Sequence, residues 1–258
     1  MIDNKILGSR IKYFRKRAQL SQFDLENEIG ASAGVISRIE SGKVNPTKET
    51  VREVAEALEM NNRELDYLIG VTAEPATRDE IEKAKNEVKD YFNTKVFAYL
   101  IDERWRLWLV NDQFLKALGL DQDYINRVQG ACTIEFMVNP DLGITKLLPD
   151  EHMEEVLRHQ LCYFHREVGF MQDDPDVQKA IQSIRAHEIG GKIWDEITNQ
   201  KDHDYSIREG RVVYFRIFNK FTVPLVYLYE PMLVASRFQV VVWTPANKFI
   251  KQISKFLM

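Results

Sequence analysis

Cysteine is scarce in this sequence, and long apolar runs are absent. Cys132 and Cys162 are the two cysteines, and they have neither the spacing of a CxxC motif nor that of a disulfide framework. No stretch approaches the roughly 18 uncharged apolar residues of a membrane-spanning helix, and the first turn is already charged. We therefore expect reduced thiols, no membrane partner and a cytoplasmic location.

Motifs that would indicate catalysis or a metal are also missing. The sequence has no Gly-rich phosphate loop and no H-E-x-x-H. His159, Cys162 and His165 recur every third residue on a predicted helix, but the first and last point about 120° apart around its axis. No carboxylate completes a familiar metal site. The sequence thus predicts neither an enzyme nor a metal site nor a cofactor.

Charge is present but unevenly distributed. The chain of 258 residues has a net charge of −4, whereas residues 1–48 hold nine basic and five acidic side chains. A basic segment followed by an acidic remainder is typical of a nucleic-acid reader joined to a second domain. The length is sufficient for two domains, and the hydrophobic content of 45% allows a filled core.

The first 70 residues break into five short helical patterns. Leu7, Ile11 and Phe14 share one side of the first helix, because spacings of three and four residues return to the same helical face. Residues that cap helix N-termini stand before the four later patterns, and they are Ser21, Ser32, Thr47 and Asn61. We predict an all-α five-helix domain over residues 1–70.

The most specific signal is the stretch of residues 20–46, LSQFDLENEIGASAGVISRIESGKVNP. Its Ser-Gln opening, turn glycine, Ile-Ser-Arg-Ile-Glu core and Gly-Lys-x-Asn-Pro exit resemble the Xre/Cro helix-turn-helix family. Two short helices joined by a tight turn form a wedge whose second helix can enter the major groove. The resemblance implies a transcriptional regulator that binds a double-stranded DNA operator as a homodimer, and a buried ion pair between Arg15 and Glu40.

The predicted DNA-binding residues lie on and around the second helix of this motif. Ile36 and Ile39 face the core, so Arg38 remains on the outer surface, where its guanidinium can bind guanine or, alternatively, a phosphate. The side chains at Ala33 and Gly34 are shorter than the polar side chains of many relatives, which predicts few direct contacts with base edges. The predicted set is Gln22, Ser32, Ala33, Gly34, Ser37, Arg38, Lys43 and Asn45, with Gln22 as a phosphate contact.

The remainder of the chain predicts an α+β domain. Residues 70–77 have the composition of a linker and residues 78–91 that of a charged connector helix, so we place the segment between the two domains at residues 71–93. A hairpin, helices and three further strands then indicate an antiparallel sheet with helices on one face over residues 94–258. The expected helices cover residues 113–118, 150–170, 176–197 and 248–257, and the strands residues 95–101, 105–110, 211–218, 223–229 and 237–243.

This second half is similar to the PAS-like ligand-binding domain of MmyB-like regulators, over roughly residues 95–245. The similarity rests on FAYLIDERW at 97–105, Asn111, MQDDP at 171–175, Trp194 and VVVWT at 240–244. The chain departs from relatives at Phe97 and at Asn219-Lys220. The resemblance implies a sensor of a small apolar ligand, with a fatty acid as the precedent.

Aromatic residues give this interpretation physical support. They exceed what a tight sheet-helix core needs, and aromatic walls are common in small-molecule sites, although any single ring can simply fill the core. The predicted ligand-binding residues are Tyr99, Trp105, Trp108, Phe114, Phe136, Phe164, Tyr214, Tyr227 and Trp243, with Tyr229 beside them. Arg185 and His187 are candidates for meeting a carboxylate. Two alternatives stay open: an antitoxin-like or scaffold module whose second domain binds a protein, and a second domain that is an enzyme with its own DNA switch, for which the sequence offers no candidate cluster of acid-base residues.

Overall fold

The computed structural model describes residues 3–72, 74–93, 96–142, 150–199, 212–217, 221–232, 235 and 237–246. Its backbone contacts divide the chain into two compact units, Met1–Pro75 and Ala76–Met258, called unit 1 and unit 2 below. Along the described helices, none combines the length and the apolar character that crossing a membrane requires.

Unit 1 contains the five predicted helices. Its buried core holds Ile11, Phe14, Leu25, Ile36 and Ile39 together with side chains from the last two helices, so the apolar spacing in the sequence identified the inward faces correctly. The helices are α1 (Asn4–Arg17), α2 (Gln22–Glu28), α3 (Val35–Glu40), α4 (Lys48–Ala57) and α5 (Asn62–Leu68).

Three of the four predicted caps are confirmed. Ser21 and Asp24 cap α2 reciprocally, Asn61 and Glu64 do the same for α5, and the Thr47 hydroxyl accepts from a backbone amide of α4.

The predicted cap at Ser32 is wrong. Helix α3 begins after Gly34, which has a left-handed φ of +79° and provides no side-chain cap. Instead, the buried carboxylate of Glu26 on α2 accepts a hydrogen bond of 3.0 Å from the Ile36 amide. A backbone N–H in the first turn of a helix has no partner within that helix. For Ile36 the preceding helix provides the acceptor, and this contact fixes the two helices of the motif to each other.

The predicted Arg15–Glu40 pair is confirmed and ties α1 to α3. Arg15 Nε lies 2.6 Å from Glu40 Oε1, and the two side chains are 9% and 3% exposed. A second guanidinium nitrogen donates to Glu40 Oε2 at 3.0 Å, and a third donates to the Leu20 carbonyl at 2.7 Å. A carboxylate bound in this bidentate way has a defined orientation, so the pair sets the position of α3.

Unit 2 is an α+β domain built on a five-stranded antiparallel sheet with the strand order β2-β1-β5-β4-β3. The predicted fold class is therefore confirmed. The strands are β1 (Phe97–Asp102), β2 (Leu107–Val110), β3 (Val212–Ile217), β4 (Phe221–Pro231) and β5 (Phe238–Pro245). The helices are α6 (Arg78–Phe92), α7 (Asp112–Leu118), α8 (Gln122–Val128), α9 (Glu135–Val138), α10 (Met153–Glu167), α11 (Pro175–Ala186) and α12 (Glu188–Asn199).

Helix α6 corrects two predictions. It is not a bare connector, because its apolar residues Ile81, Ala84 and Val88 share a buried cluster with Ala98, Leu100, Val240 and Val242 of β1 and β5. Helices α7 and α10 contact the opposite face, where Phe114 stacks on Tyr99 and Tyr163 packs against Tyr227. Helices therefore cover both faces of the sheet rather than one.

The remaining differences concern helix number. The predicted helix over 176–197 is two helices, α11 and α12, separated at His187, whose ψ of 128° is extended. Helices α8 and α9 were not predicted. The expected closing helix at 248–257 lies outside the described residues.

Replacing Arg15 by alanine is expected to lower the free energy of unfolding of unit 1 by about 3–5 kcal/mol, because Glu40 stays buried without its cation. Arg52→Ala is the matched control, since the Arg52 side chain is 72% exposed and meets Glu56 at 3.7 Å. The control is expected to cost less than about 1 kcal/mol. Urea denaturation, with hydrogen exchange of α1 and α3 as the readout, measures the change in free energy of unfolding for both variants. Equal changes for the two variants would contradict the structural role of the Arg15–Glu40 pair.

Candidate nucleic-acid interface and apolar cavity

The predicted DNA-binding residues share one region of unit 1. Ser37 and Arg38 lie on α3, Ser32, Ala33 and Gly34 form the turn before it, and Lys43 and Asn45 follow it. These seven residues are all exposed, whereas Ile36 and Ile39 of the same helix are buried. The arrangement leaves one side of α3 and both flanking turns accessible to a large partner.

Arg38 is the cation at the centre of this surface. Its Nε donates to the Gly34 carbonyl at 3.2 Å, which orients the stem of the side chain along α3. Within the part of the chain that the structure describes, no carboxylate forms an ion pair with Arg38, so its guanidinium is available for a nucleic-acid acceptor. The geometry is compatible with either a guanine edge or a phosphate.

Gln22 has a second role that the sequence did not indicate. It is half-buried at the first position of α2, and its amide nitrogen donates to Glu40 Oε2 at 2.7 Å. The amide is thus held by the Arg15–Glu40 pair, and this contact fixes its orientation at the surface. Its predicted contact with a phosphate remains a prediction.

The turn between α2 and α3 depends on two glycines. Gly30 and Gly34 have φ values of +64° and +79°, and a Cβ at either position would meet nothing within 4 Å. The left-handed backbone, rather than lack of space, therefore explains glycine here. Residues 30–34 also have the letters of a G-x-S-x-G nucleophile motif, but a helix precedes them where that motif requires a strand.

Several basic residues of unit 1 are engaged within the fold. Arg10 is buried with its guanidinium 3.7 Å from the Tyr67 ring centroid, and Arg17 Nη1 lies 2.5 Å from Glu64 Oε1. With Arg15 bound to Glu40, three of the cations counted in the sequence serve packing. The positive charge that faces solvent is therefore smaller than the sequence suggests, and it includes Arg38 and Lys43.

Unit 2 contains a predominantly apolar cavity of about 90 Å³. This volume is several times the roughly 10–15 Å³ that one water molecule needs. The cavity lies between the β1/β5 part of the sheet and helices α7–α10, and a few polar atoms reach it. Its walls are Tyr99, Trp105, Leu107, Val110, Phe114, Leu115, Leu118, Leu120, Ile125, Thr133, Ile134, Phe136, Met137, Gln160, Phe215 and Trp243.

Five of the nine predicted ligand-binding residues line this cavity, namely Tyr99, Trp105, Phe114, Phe136 and Trp243. Phe114 lies at the centre of the aromatic group, with its ring centroid 6.2 Å from that of Tyr99 and 6.4 Å from that of Trp243. Rings on β1, α7 and β5 therefore meet around one space, although they are far apart in sequence.

The other four predicted residues do not line it. Trp108 donates its indole N–H to Asp102 at 2.9 Å, Phe164 is buried against Trp105, and Tyr214 stacks on His152. Tyr227 lies behind the wall, with its ring 4.9 Å from that of Trp243. The side chain of Tyr229 lies outside the described part of the chain.

The proposed partners for a carboxylate are also elsewhere. Neither Arg185 nor His187 is part of the cavity wall, and His187 Nδ1 accepts a hydrogen bond from the Gly190 amide at 3.1 Å.

Two histidines of unit 2 contact aromatic side chains, and Cys132 is buried. His159 Nε2 lies 2.5 Å from the Tyr227 hydroxyl, and the His165 ring packs against Trp194. Burial raises the pKa of the Cys132 thiol far above its ordinary range, so this thiol stays protonated. Over the residues that the structure describes, no group of histidine, cysteine and carboxylate side chains is placed to hold a metal ion.

Most wall residues that sequence reasoning missed are aliphatic. Leu115 and Leu118 lie on α7, Ile125 lies on α8, and Ile134 and Met137 lie around α9. Their helical spacing was a usable signal at α7, but α8 and α9 were not predicted. Gln160 is a polar wall residue with no signal in the sequence, because a glutamine on an amphipathic helix normally faces solvent.

The comparison with known families agrees with the geometry of unit 1. Residues 6–68 match a family model described as a helix-turn-helix domain, a range that runs from within α1 to the end of α5. No curated protein matches the chain. The helix-turn-helix domain, with α3 exposed on one side, indicates a DNA-binding regulator.

Replacing Gly34 by alanine is expected to lower the free energy of unfolding of unit 1 by about 1–2 kcal/mol, because an L-residue is strained at its left-handed φ. Gly34→Asn is the matched variant and is expected to cost less, since asparagine tolerates this conformation better. Urea denaturation compares the two variants with the parent chain. An alanine variant as stable as the parent would show that the turn adopts another backbone conformation.

Proposed function

We propose that the protein is a one-component transcriptional regulator: unit 1 binds operator DNA through α3, and unit 2 senses a small apolar ligand. The observation that carries the first half is the match of residues 6–68 to a helix-turn-helix domain, combined with the exposure of Ser37 and Arg38 on α3. The second half is supported by the apolar cavity and by the resemblance to the MmyB-like ligand-binding domain.

The proposed DNA contacts divide into two kinds. Arg38 reads a base edge, for which a bidentate guanidinium–guanine contact is the commonest arrangement. Lys43 and Asn45, in the turn after α3, contact the phosphate backbone and set the register without reading sequence. Because Ala33 and Gly34 have little or no side chain, we propose that DNA shape contributes to specificity.

We also propose that the protein binds DNA as a homodimer. A single helix-turn-helix unit reads few bases, and regulators of this kind place two recognition helices in major grooves about one helical turn apart. Closed two-fold symmetry is also the commonest arrangement of homo-oligomers. A symmetric operator with two half-sites follows from this arrangement.

The DNA-binding half is tested by selection from a pool of random-sequence duplexes, followed by fluorescence anisotropy titration on the enriched sequence at several salt concentrations. The parent chain is expected to enrich a symmetric motif. Arg38→Ala is expected to weaken binding about 5- to 150-fold, corresponding to about 1–3 kcal/mol, and to relax one position of the motif. Lys43→Ala is expected to weaken all duplexes alike and to reduce the salt slope by about 1.

The control is Arg52→Ala, an exposed cation on α4 outside the proposed interface. It is expected to leave both the motif and the affinity unchanged. If Arg38→Ala behaves like this control, Arg38 is not a reading residue. If the parent chain enriches no motif, the operator-binding proposal itself fails.

The sensing half is tested by native mass spectrometry of the full chain as purified from cells. A mass excess corresponding to a small molecule that is released on denaturation is expected. Leu118→Trp places bulk at a wall residue and is expected to abolish the excess mass. Ala117→Leu would be a poor probe, because Ala117 is fully buried but lies outside the cavity wall. Leu118→Met is its volume-conserving control. Recovery of a bound protein in place of a small molecule would favour the interaction-module alternative.

A further inference from the structure

A second concavity of unit 2 lies between the C-terminal half of α6, the end of β2 and the start of α7, and it is called the α6–α7 groove below. Its volume is about 430 Å³, against about 90 Å³ for the apolar cavity. Val110 is the one described residue that lines both, so the two spaces are separate. Small-molecule sites commonly enclose about 300–1,000 Å³, and the groove falls within this range.

Positively charged side chains outnumber negative ones on the wall of the α6–α7 groove. Lys85 and Lys89 of α6 line it together with Lys116 of α7, whereas Asp112 is the one carboxylate among its described wall residues. Glu87, which lies between the two lysines of α6 in sequence, does not belong to that described wall. The whole chain has a net charge of −4, so this excess of cations is local. A concave surface of one sign concentrates ions of the opposite sign.

The three lysines are not neutralised equally within the fold. Lys85 Nζ lies 3.0 Å from Glu82 Oε1, and the Lys85 side chain is 20% exposed. Lys89 and Lys116 are exposed, and neither forms an ion pair with a carboxylate in the part of the chain that the structure describes. Lys85 and Lys89 are also four residues apart on α6, where like charges weakly destabilise a helix. An anion bound between α6 and α7 would be attracted by these cations and would relieve their repulsion.

The wall also provides hydrogen-bond donors and apolar surface. The side-chain amides of Asn86 on α6 and Gln113 on α7 line the same groove, and such amides can donate to anionic oxygens. Leu109 and Phe92 add apolar side chains to the wall. A phosphate monoester carries a charge of about −1.5 to −2 near neutral pH and three acceptor oxygens. This charge matches a wall in which three ammonium groups stand against one carboxylate, since lysine binds phosphate as a point charge.

We propose that the α6–α7 groove binds a small phosphate monoester whose substituent is apolar or aromatic. Lys89 and Lys116 hold the phosphoryl group from two helices, Asn86 and Gln113 donate to its oxygens, and Leu109 contacts the substituent. The volume of the groove and its apolar wall residues favour a small molecule over the phosphate backbone of a duplex. The site lies outside the apolar cavity, so the inference does not depend on whether unit 2 binds an apolar ligand there.

The experiment uses the full chain at low ionic strength and about pH 7.5, where a phosphate monoester is mainly a dianion. The probes are phenyl phosphate, inorganic phosphate, and benzenesulfonate, which has the same ring but a single charge. Isothermal titration calorimetry measures affinity, and thermal unfolding is a second readout because a ligand of the native state raises the unfolding temperature. We expect phenyl phosphate to bind about 5-fold or more tightly than either other probe, because it combines the ring with the second charge. Added salt is expected to weaken its binding.

Lys89→Gln and Lys116→Gln each remove one exposed cation from the groove. Each is expected to reduce the affinity for phenyl phosphate about 5-fold or more, the factor that corresponds to one contact between unit charges. Lys83→Gln removes an exposed lysine of α6 outside the described groove wall and is the matched control. It is expected to change the affinity less than about 2-fold, because salt screens distant surface charges. Two variants on different helices keep the test decisive if one of them fails to fold.

Three outcomes would overturn the inference. Equal effects of Lys83→Gln and Lys116→Gln would show attraction to the charge of the surface rather than a site. Binding of benzenesulfonate as tightly as phenyl phosphate would show that the groove does not select a dianion. Absence of phenyl phosphate binding would overturn the inference as well, and a loss of affinity for duplex DNA in the groove variants would then assign these lysines to contacts with the DNA backbone.

Discussion

The carboxylate of Asp102 is the constraint on which the architecture of unit 2 depends. This side chain is completely buried at the end of β1, and it accepts hydrogen bonds from the Arg104 and Arg106 amides, from Arg106 Nε and from the Trp108 indole. Four donors on one carboxylate close the β1–β2 turn and leave its geometry little freedom. Within that turn Trp105 adopts a φ of +60°, a costly conformation for an aromatic residue, and this backbone carries its ring to the cavity wall.

The same turn is connected to the surrounding helices by ion pairs between charged side chains. Arg104 Nε lies 2.7 Å from Asp174, the N-cap of α11, and Arg237 Nη2 lies 2.5 Å from Glu103. Arg237 also meets Glu80 at 3.4 Å, and Glu80 closes the capping box with Thr77 at the start of α6. The Arg104–Asp174 pair is buried, and a buried pair adds little net stability over apolar packing. The contacts of these ion pairs join the turn to the start of α11 and, through Arg237, to the start of α6.

The sequence predicted unit 1 better than unit 2 because its signals there are local. Ser21 with Asp24 and Asn61 with Glu64 lie three residues apart, so helix starts could be identified without tertiary information. The cap of α3 was missed because its acceptor, Glu26, belongs to the preceding helix and is ten residues from Ile36. In unit 2 the cavity wall combines β1, α7, α10 and β5, and no sequence periodicity reports which aromatic rings meet across such distances. Aromatic composition could suggest a cavity, but it could not show that Tyr99 lines the cavity and that Tyr214 does not.

Arginines held in ion pairs within the fold also explain why base readout by unit 1 is expected to be limited. A guanidinium suits recognition of either a carboxylate or a nucleic acid, since both present paired acceptors. Arg15 and Arg17 bind Glu40 and Glu64 inside the fold, so these cations shape the domain instead of contacting bases. Arg38 remains exposed, next to Ala33 and Gly34, which offer no polar side chain for hydrogen bonding to bases. One bidentate contact discriminates by only about 1–3 kcal/mol. The proposed reading of two half-sites by a homodimer would therefore supply much of the specificity, and the proposed ligand would act on it by changing the spacing of the two readers.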